Sequence, residues 1–292
     1  MHDLLTTKLL TLHHCRSVSW KTLYQIVKAD PSLSSISFQQ QKPLPYFHFL
    51  TADTRKKIND EIHSLNMEEL LSQYVNNDIQ IISIMDENYP KLLKETYQPP
   101  WFLYAKGDLS ILNKKPILSV VGSRNMTEYG ARVIEEIFPT LIKKGFIIAS
   151  GLANGVDAHA HKVAMHLGGH TIGVLGSGFF HMYPNSNRHL FQQMSRHHLV
   201  LSEYPPHTKA ERWHFPMRNR IISGISRATL VIEAKSKSGS LITANFAVQE
   251  GRDVFAVPGG ILSPFFSGTN ELIQHGAKLI LSAEDIIEEL VY

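Results

Sequence analysis

The sequence predicts an α/β chain, a doubly wound and mostly parallel sheet preceded by a small all-helical domain. Three observations carry that prediction. From about residue 79 onward, short β-branched runs recur along the chain. Between most of them lie helix-length segments with one apolar stripe, and strands alternating with helices build a parallel sheet covered on both faces. Residues 1–66 lack this rhythm and crowd their leucines and aromatics as short helices do.

In the helical part, Leu4, Leu5, Leu9, Leu10 and Leu12 form one segment, and Trp20, Leu23, Tyr24, Ile26 and Val27 another. The polar, proline-bearing stretch 31–45 separates them from a third, Asp53 to Leu65. The domain boundary is placed after residue 66, with 67–292 forming the sheet domain. The predicted strands are Ile79–Ile84, Phe102–Ala105, Ile117–Val121, Phe146–Ala149, Thr171–Leu175, Leu199–Ser202, Thr229–Glu233, Val254–Val257 and Lys278–Leu281. Within 156–167, Val156, Ala160, Val163, Ala164 and Leu167 fall on one helical stripe.

Composition narrows the function classes. The 292 residues are 43% hydrophobic and 19% charged, which excludes disorder and collagen-like repeats. A single cysteine, Cys15, cannot form an intramolecular disulfide and fits a reducing compartment. No apolar run approaches the roughly 18 residues of a membrane helix, and the N-terminus does not read as a signal peptide. The formal net charge is only +3, from 29 basic and 26 acidic residues. Locally the balance differs. Residues 209–237 hold Lys209, Arg212, Arg218, Arg220, Arg227, Lys235 and Lys237 against Glu211 and Glu233, seven minus two, or +5. Such a stretch is either a solvated, salt-bridged face or a surface for an anion.

Ligands of doubly wound sheets sit at the C-terminal ends of the strands. Those ends carry Gly122-Ser123-Arg124, Ser150-Gly151, Gly176-Ser177-Gly178, Ser238-Gly239-Ser240 and Pro258-Gly259-Gly260. Glycine turns let backbone N–H groups approach an oxyanion, and Arg124 supplies a charged fork. Gly151, Gly176, Gly239 and Ser240 are therefore candidate phosphate-binding turns, although a single glycine marks only a tight turn. A dinucleotide is disfavoured because G-x-G-x-x-G is missing, and no P-loop sequence occurs. Trp213 and Phe215 are interleaved with Arg212, Arg218 and Arg220, the composition that single-stranded nucleic acid asks for. Either aromatic could equally belong to the core.

Several ordered segments then resemble a known family. They include Ser119–Arg124, Ser150–His161, Tyr183–Asn187, Ser202–Pro205, Phe215–Gly224, Ser238–Ala244, Gly251–Gly259 and Gly268–Ile273. Together they are similar to the DprA/Smf family of bacterial natural transformation, over about residues 75–285. The resemblance implies an extended Rossmann-like domain behind a SAM-like helical domain, without a C-terminal winged-helix domain. It implies a cytoplasmic homodimer that binds and protects single-stranded DNA and loads the RecA recombinase, using no cofactor and no catalytic residue. Carried over by position, Gly122, Ser123 and Arg124 form the phosphate-binding part of a DNA pocket. Arg212 is a basic pocket residue, Phe215 stacks a base, Arg218 and Asn219 adjoin them, and Lys235 and Lys237 flank the edge. His207 stands where the family often has glycine. Leu272, Ile273 and Ile287 are apolar candidates for the dimer surface.

Two rival sites follow from the residues. His159-Ala-His161 resembles a metal pair, but no H-E-x-x-H motif or cysteine cluster supports it, and an Asp157–His161 contact is the expected structural reading. Pro258-Gly-Gly260 with Gly268-Thr-Asn-Glu271 is similar to the signature of nucleoside-monophosphate phosphoribohydrolases. Seven residues, 261–267, split it here where that signature allows one, which separates the glycine turn from Glu271.

Overall fold

The computed structural model describes residues 3–36, 44–45, 47–113 and 116–290. It divides into two compact units, Met1–Ile84 with Pro100–Phe102, and Met85–Pro99 with Leu103–Tyr292. Residues 67–84 thus go with the helical unit, eighteen residues beyond the boundary placed from sequence.

In the first unit the helices are α1 (Leu4–His14), α2 (Trp20–Ala29), α3 (Ala52–Ser64) and α4 (Met67–Asn76), followed by strand β1 (Gln80–Ser83). Each helix begins where a short polar side chain accepts a backbone N–H: Asp3 from Thr6, Ser19 from Thr22, Thr51 from Thr54 and Asn66 from Glu69. These caps satisfy donors that the first helical turn leaves open. Leu9, Leu10, Leu12, Leu23, Ile26, Ile58 and Ile62 are buried together with Cys15, whose thiol burial pushes up to about 12. That thiol is inert at neutral pH.

The second unit begins with the short helix α5 (Lys91–Lys94). Its strands are β2 (Phe102–Gly107, in this unit from Leu103 onward), β3 (Ile117–Val121), β4 (Ile147–Gly151), β5 (Thr171–Val174), β6 (Leu199–Ser202), β7 (Ala228–Val231), β8 (Asp253–Ala256) and β9 (Lys278–Leu279). Interleaved helices are α6 (Glu128–Lys143), α7 (Val156–His166), α8 (Arg188–His197), α9 (His214–Gly224), α10 (Gly239–Gln249), α11 (Ser267–Gln274) and α12 (Glu284–Leu290). Strand order from β2 is β2-β6-β5-β4-β3-β7-β8-β9. All these pairs are parallel except β2 with β6, where Tyr104 opposes Ser202 and Gly107 opposes Leu199.

The chain runs outward from β3 through β4, β5 and β6, then returns to the other side of β3 with β7. That reversal is the switch point at which such sheets open a crevice. Every residue of β3, β4 and β5 is buried, as strands covered on both faces require. One face packs Leu118, Val120, Ile148, Leu230 and Phe255 against Ile134, Phe138 and Leu141 of α6, Val156 and Ala160 of α7, and Ile286 of α12. Ile221 and Ile222 of α9 and Ala244 and Ala247 of α10 are buried outside that cluster. Among the described residues no helix is long and apolar enough to cross a membrane.

Candidate nucleic-acid interface

The candidate site is built at the ends of β3, β4 and β5. After β3 the chain turns through Gly122-Ser123-Arg124, where Ser123 Oγ accepts the Asn125 amide at 3.1 Å and donates to the Asn125 carbonyl at 3.0 Å. The turn is held from beneath by the start of α7, whose Val156 N–H donates to the Ser123 carbonyl at 3.1 Å. The preceding residue, Gly155, has φ +76°, and a Cβ there would lie 2.2 Å from the Ser123 carbonyl oxygen. Only glycine both adopts that backbone and lets the two loops touch. Arg124 is thereby left exposed, its guanidinium carbon 5.8 Å from the centroid of the Phe215 ring.

Phe215 is half-buried and lies against Gly176, where an added Cβ would come within 2.8 Å of its ring. The Tyr183 ring is tilted against it, with centroids 5.6 Å apart. Trp213 is 57% exposed and its indole N–H donates to Glu211 at 2.5 Å. Neither aromatic is therefore a core residue. His214, between them, is buried and stacks on Tyr204 with centroids 4.0 Å apart.

The basic stretch does not form one surface. Arg218 is only 5% exposed; its guanidinium packs on Gly151, donates to the Val174 carbonyl, and donates through Nε to Asn219 at 3.2 Å. Rather than presenting its charge to solvent, it ties α9 to the ends of β4 and β5. Asn219 continues the link, its Nδ2 donating to the Gly239 carbonyl at 3.2 Å. Arg220 is paired with Glu203 and donates to the Gln98 carbonyl at 3.0 Å. Arg212, Lys235 and Lys237 are exposed, and Lys235 lies over the Phe265 ring at 4.7 Å. At the start of α10, Ser238 accepts the Ser240 amide at 3.2 Å and the two hydroxyls are 2.5 Å apart, while Gly239 faces open space. Ser240 is buried, so its hydroxyl closes this cap.

The structure thus brings together Gly122, Ser123, Arg124, Gly151, Gly176, Phe215, Arg218, Asn219 and Gly239 in one chain of contacts. Sequence reasoning had not placed Gly155, Asp157 or Tyr183 at the site. Asp157 is buried, and burial pushes its carboxyl up to about 6 while the Arg218 guanidinium pulls the other way. Burial also lowers Arg218, which Asp157 helps to keep charged. Gly-Val-Asp at the start of a helix, after a strand ending in glycine, was the available signal for Gly155 and Asp157.

The expected Asp157–His161 contact is not what forms. His161 is fully buried, with Nε2 3.0 Å from the Gly151 carbonyl and Nδ1 2.6 Å from Thr171 Oγ1. Burial drops its pKa to about 3, so the ring is neutral and donates from Nε2 to the Gly151 carbonyl, while the Thr171 hydroxyl donates to the Ile148 carbonyl at 2.8 Å. It joins α7 to β4 and β5 and fixes the carbonyl of Gly151. Of the other histidine, His159 meets Glu135 at 3.2 Å. No group of three or more His, Cys, Asp or Glu side chains could hold a metal ion among the described residues. Glu271 is exposed on α11, and the neighbouring Asn270 brackets Gly259 with hydrogen bonds of 3.0 and 3.3 Å. The segment between Gly260 and Gly268 begins with Ile261 and Leu262, 91% and 94% exposed, and continues into a 3₁₀ turn at Pro264–Phe266.

Comparison with known proteins adds the family. Residues 80–291 match the model of the DNA recombination-mediator protein A family. The DNA processing protein DprA of Bacillus subtilis is 45% identical over 267 residues, 90% of this chain and 88% of that protein. The X-ray structure of DNA processing protein A from Streptococcus pneumoniae covers 100% of both chains with a TM-score of 0.85 and 34% identity. A structure of DNA processing protein A from Helicobacter pylori, described for its single-stranded DNA binding mode, covers 73% of this chain and 95% of its own. Its TM-score is 0.66 at 29% identity.

Proposed function

The chain belongs to the DNA recombination-mediator protein A family, and on that premise we propose that it is a non-catalytic, homodimeric mediator of natural transformation. In this reading it binds and protects incoming single-stranded DNA in the cytoplasm and loads the RecA recombinase onto it. One observation carries the DNA reading. Arg124 stands exposed on a glycine-bounded strand-end turn, over an aromatic ring that is accessible rather than part of the core. A backbone phosphate fits the Arg124 fork, and a base fits the adjoining Phe215 face. The Helicobacter pylori relative, described for its single-stranded DNA binding mode, supports the same assignment. For self-association, Ile261, Leu262 and Leu281 offer more exposed apolar surface than Leu272, Ile273 and Ile287, which are half-buried.

The test is a salt titration of binding to single- and double-stranded oligonucleotides, for the wild type and Arg124→Ala. Single strands should bind more tightly. The Arg124→Ala slope of log affinity against log salt should fall by about 0.7, one phosphate's counterions on a single strand. Equal affinity for both forms with an unchanged slope in the variant would remove the pocket.

A further inference from the structure

A cavity of about 450 Å³ opens beside the Phe215 pocket, lined by Phe180, Tyr183, Phe191, Arg188, Gln192 and Lys209 among others. That volume lies within the range of small-ligand pockets, about 300–1,000 Å³. We propose that it is a second nucleotide subsite, taking the next base and phosphate of the DNA strand whose neighbouring nucleotide rests on Phe215. The proposal rests on the single-stranded DNA reading of the Phe215 pocket and extends it.

Continuity is the first argument. Tyr183 lines the cavity and is also the ring next to Phe215, with 5.6 Å between centroids, while Arg124 sits over Phe215. The sequence Arg124, Phe215, Tyr183, cavity is therefore an unbroken cation-and-aromatic track. Chemistry is the second. Phe180 and Phe191 offer faces for a base, Arg188 and Lys209 offer charge for a phosphate, and no carboxylate lines the space among the described residues. Arg188 and Lys209 are exposed, and neither side chain makes a hydrogen bond or ion pair among the described residues. Their charges are thus unneutralised by the protein. A mixed lining of π faces and unpaired cations is what a sequence-tolerant single-strand site requires.

Preorganisation is the third. The two walls are stitched together by backbone hydrogen bonds, Gly178 N–H to the Thr208 carbonyl at 2.9 Å and Phe180 N–H to the Pro206 carbonyl at 3.0 Å. Phe179 packs against Phe191 with centroids 6.1 Å apart, and His207 meets the Phe180 ring edge-on at 4.7 Å. His207, where the family often has glycine, thus braces the Phe180 wall. A rigid slot loses less on ordering its ligand than a flexible one.

The experiment measures oligothymidylate binding across a length series, from the shortest oligomer that binds up to twelve nucleotides. It uses the full chain as wild type, Arg188→Ala/Lys209→Ala, Phe180→Ala and Arg124→Ala, each checked for an unchanged denaturation midpoint. The double variant should bind the longer oligomers at least about tenfold more weakly. Its salt slope should be reduced by about 1.4, two phosphates' worth. The shortest oligomers should bind it as they bind the wild type. Phe180→Ala should lose at least about fivefold on the longer oligomers with its salt slope intact, because stacking releases no ions. Wild-type affinity of both variants at every length, with Arg124→Ala still impaired, would overturn the second subsite and leave the Phe215 pocket standing. If Arg124→Ala also binds normally, the pocket reading fails and the subsite with it. Thymidine monophosphate is titrated in parallel. If the free nucleotide binds and the double variant abolishes this while leaving oligomer binding intact, the cavity is a free-nucleotide site and the proposal is wrong.

Discussion

The cations of the 209–237 stretch divide into two regions that a linear charge count treats as one. Arg218 and Arg220 lie inside, the first held by the Val174 carbonyl and Asn219 with the Asp157 charge helping to keep it ionised, the second paired with Glu203. Lys209, Arg212, Arg227, Lys235 and Lys237 lie outside, as do Arg124 and Arg188 from other parts of the chain. The inner pair belongs to folding: it joins helix α9 to the strand ends and the Gln98 segment. Only the outer set can exchange counterions for phosphates, so only it should shape salt-dependent binding. The lesson is that a basic stretch predicts a surface only after its internal partners have been subtracted.

The largest effect should come from the inner region. Arg218→Met strands the buried Val174 carbonyl, unties α9 from the ends of β4 and β5, and removes one of the two guanidinium charges that favour the Asp157 carboxylate. Together these should cost on the order of 3–5 kcal/mol. Denaturant unfolding should show a loss of that order, and adding Asp157→Asn should recover part of it. If Arg218→Met unfolds like the wild type, Arg218 is not a structural residue and the division collapses. Next in size is Gly155→Ala, which forces a side chain into a positive-φ position 2.2 Å from the Ser123 carbonyl. Strain and overpacking together should cost on the order of 2–4 kcal/mol. Because the same carbonyl anchors the Arg124 turn, single-strand affinity of the folded fraction should fall as well.

The outer region should behave in the opposite way. Arg212→Ala should leave stability within about 0.5 kcal/mol of the wild type, as exposed positions do. Its single-strand salt slope should fall by about 0.7. Unchanged slope with reduced stability would place Arg212 among the inner cations.

How much of this was legible in the sequence depends on what kind of information each residue carries. The strands were, because β-branched runs such as Ile117–Val121 are buried on both faces and need no partner to announce themselves. The turn Gly122-Ser123-Arg124 was, because glycines at strand ends serve close approach. Strand β9 was overestimated, Lys278–Leu279 rather than Lys278–Leu281, since Leu281 continues the apolar pattern yet is 79% exposed. The burial of Arg218 was not legible, because a charged residue on a helix reads as solvated until the strand ends at Gly151 and Val174 are placed beside it. His161 failed for the related reason that i, i+4 spacing from Asp157 suggests a neighbour on the helix. Its actual partners, Gly151 and Thr171, come from two strands of the sheet.

The smallest effect separates the inner groups by pH. His161 has a folded pKa depressed to about 3 from 6.5, so between those values the unfolded chain binds a proton that the folded one excludes. Its contribution to stability is therefore present above pH 6.5 and is lost as pH falls through that window. Asp157 has the opposite sign. Its folded pKa is raised from 3.8 to about 6, so the folded chain holds a proton that the unfolded one has released, and stability falls as pH rises from about 4 to 6. Each group can tilt stability by at most about 1.4 kcal/mol per pH unit. Across pH 4–6, His161→Gln should flatten any rise of stability with pH, and Asp157→Asn should steepen it. His13, also depressed to about 3, adds a tilt of the His161 kind from the helical unit, and comparing each variant with the wild type subtracts it. Denaturant midpoints measured at three pH values suffice. Parallel shifts in the two variants would mean that neither residue titrates from its buried position.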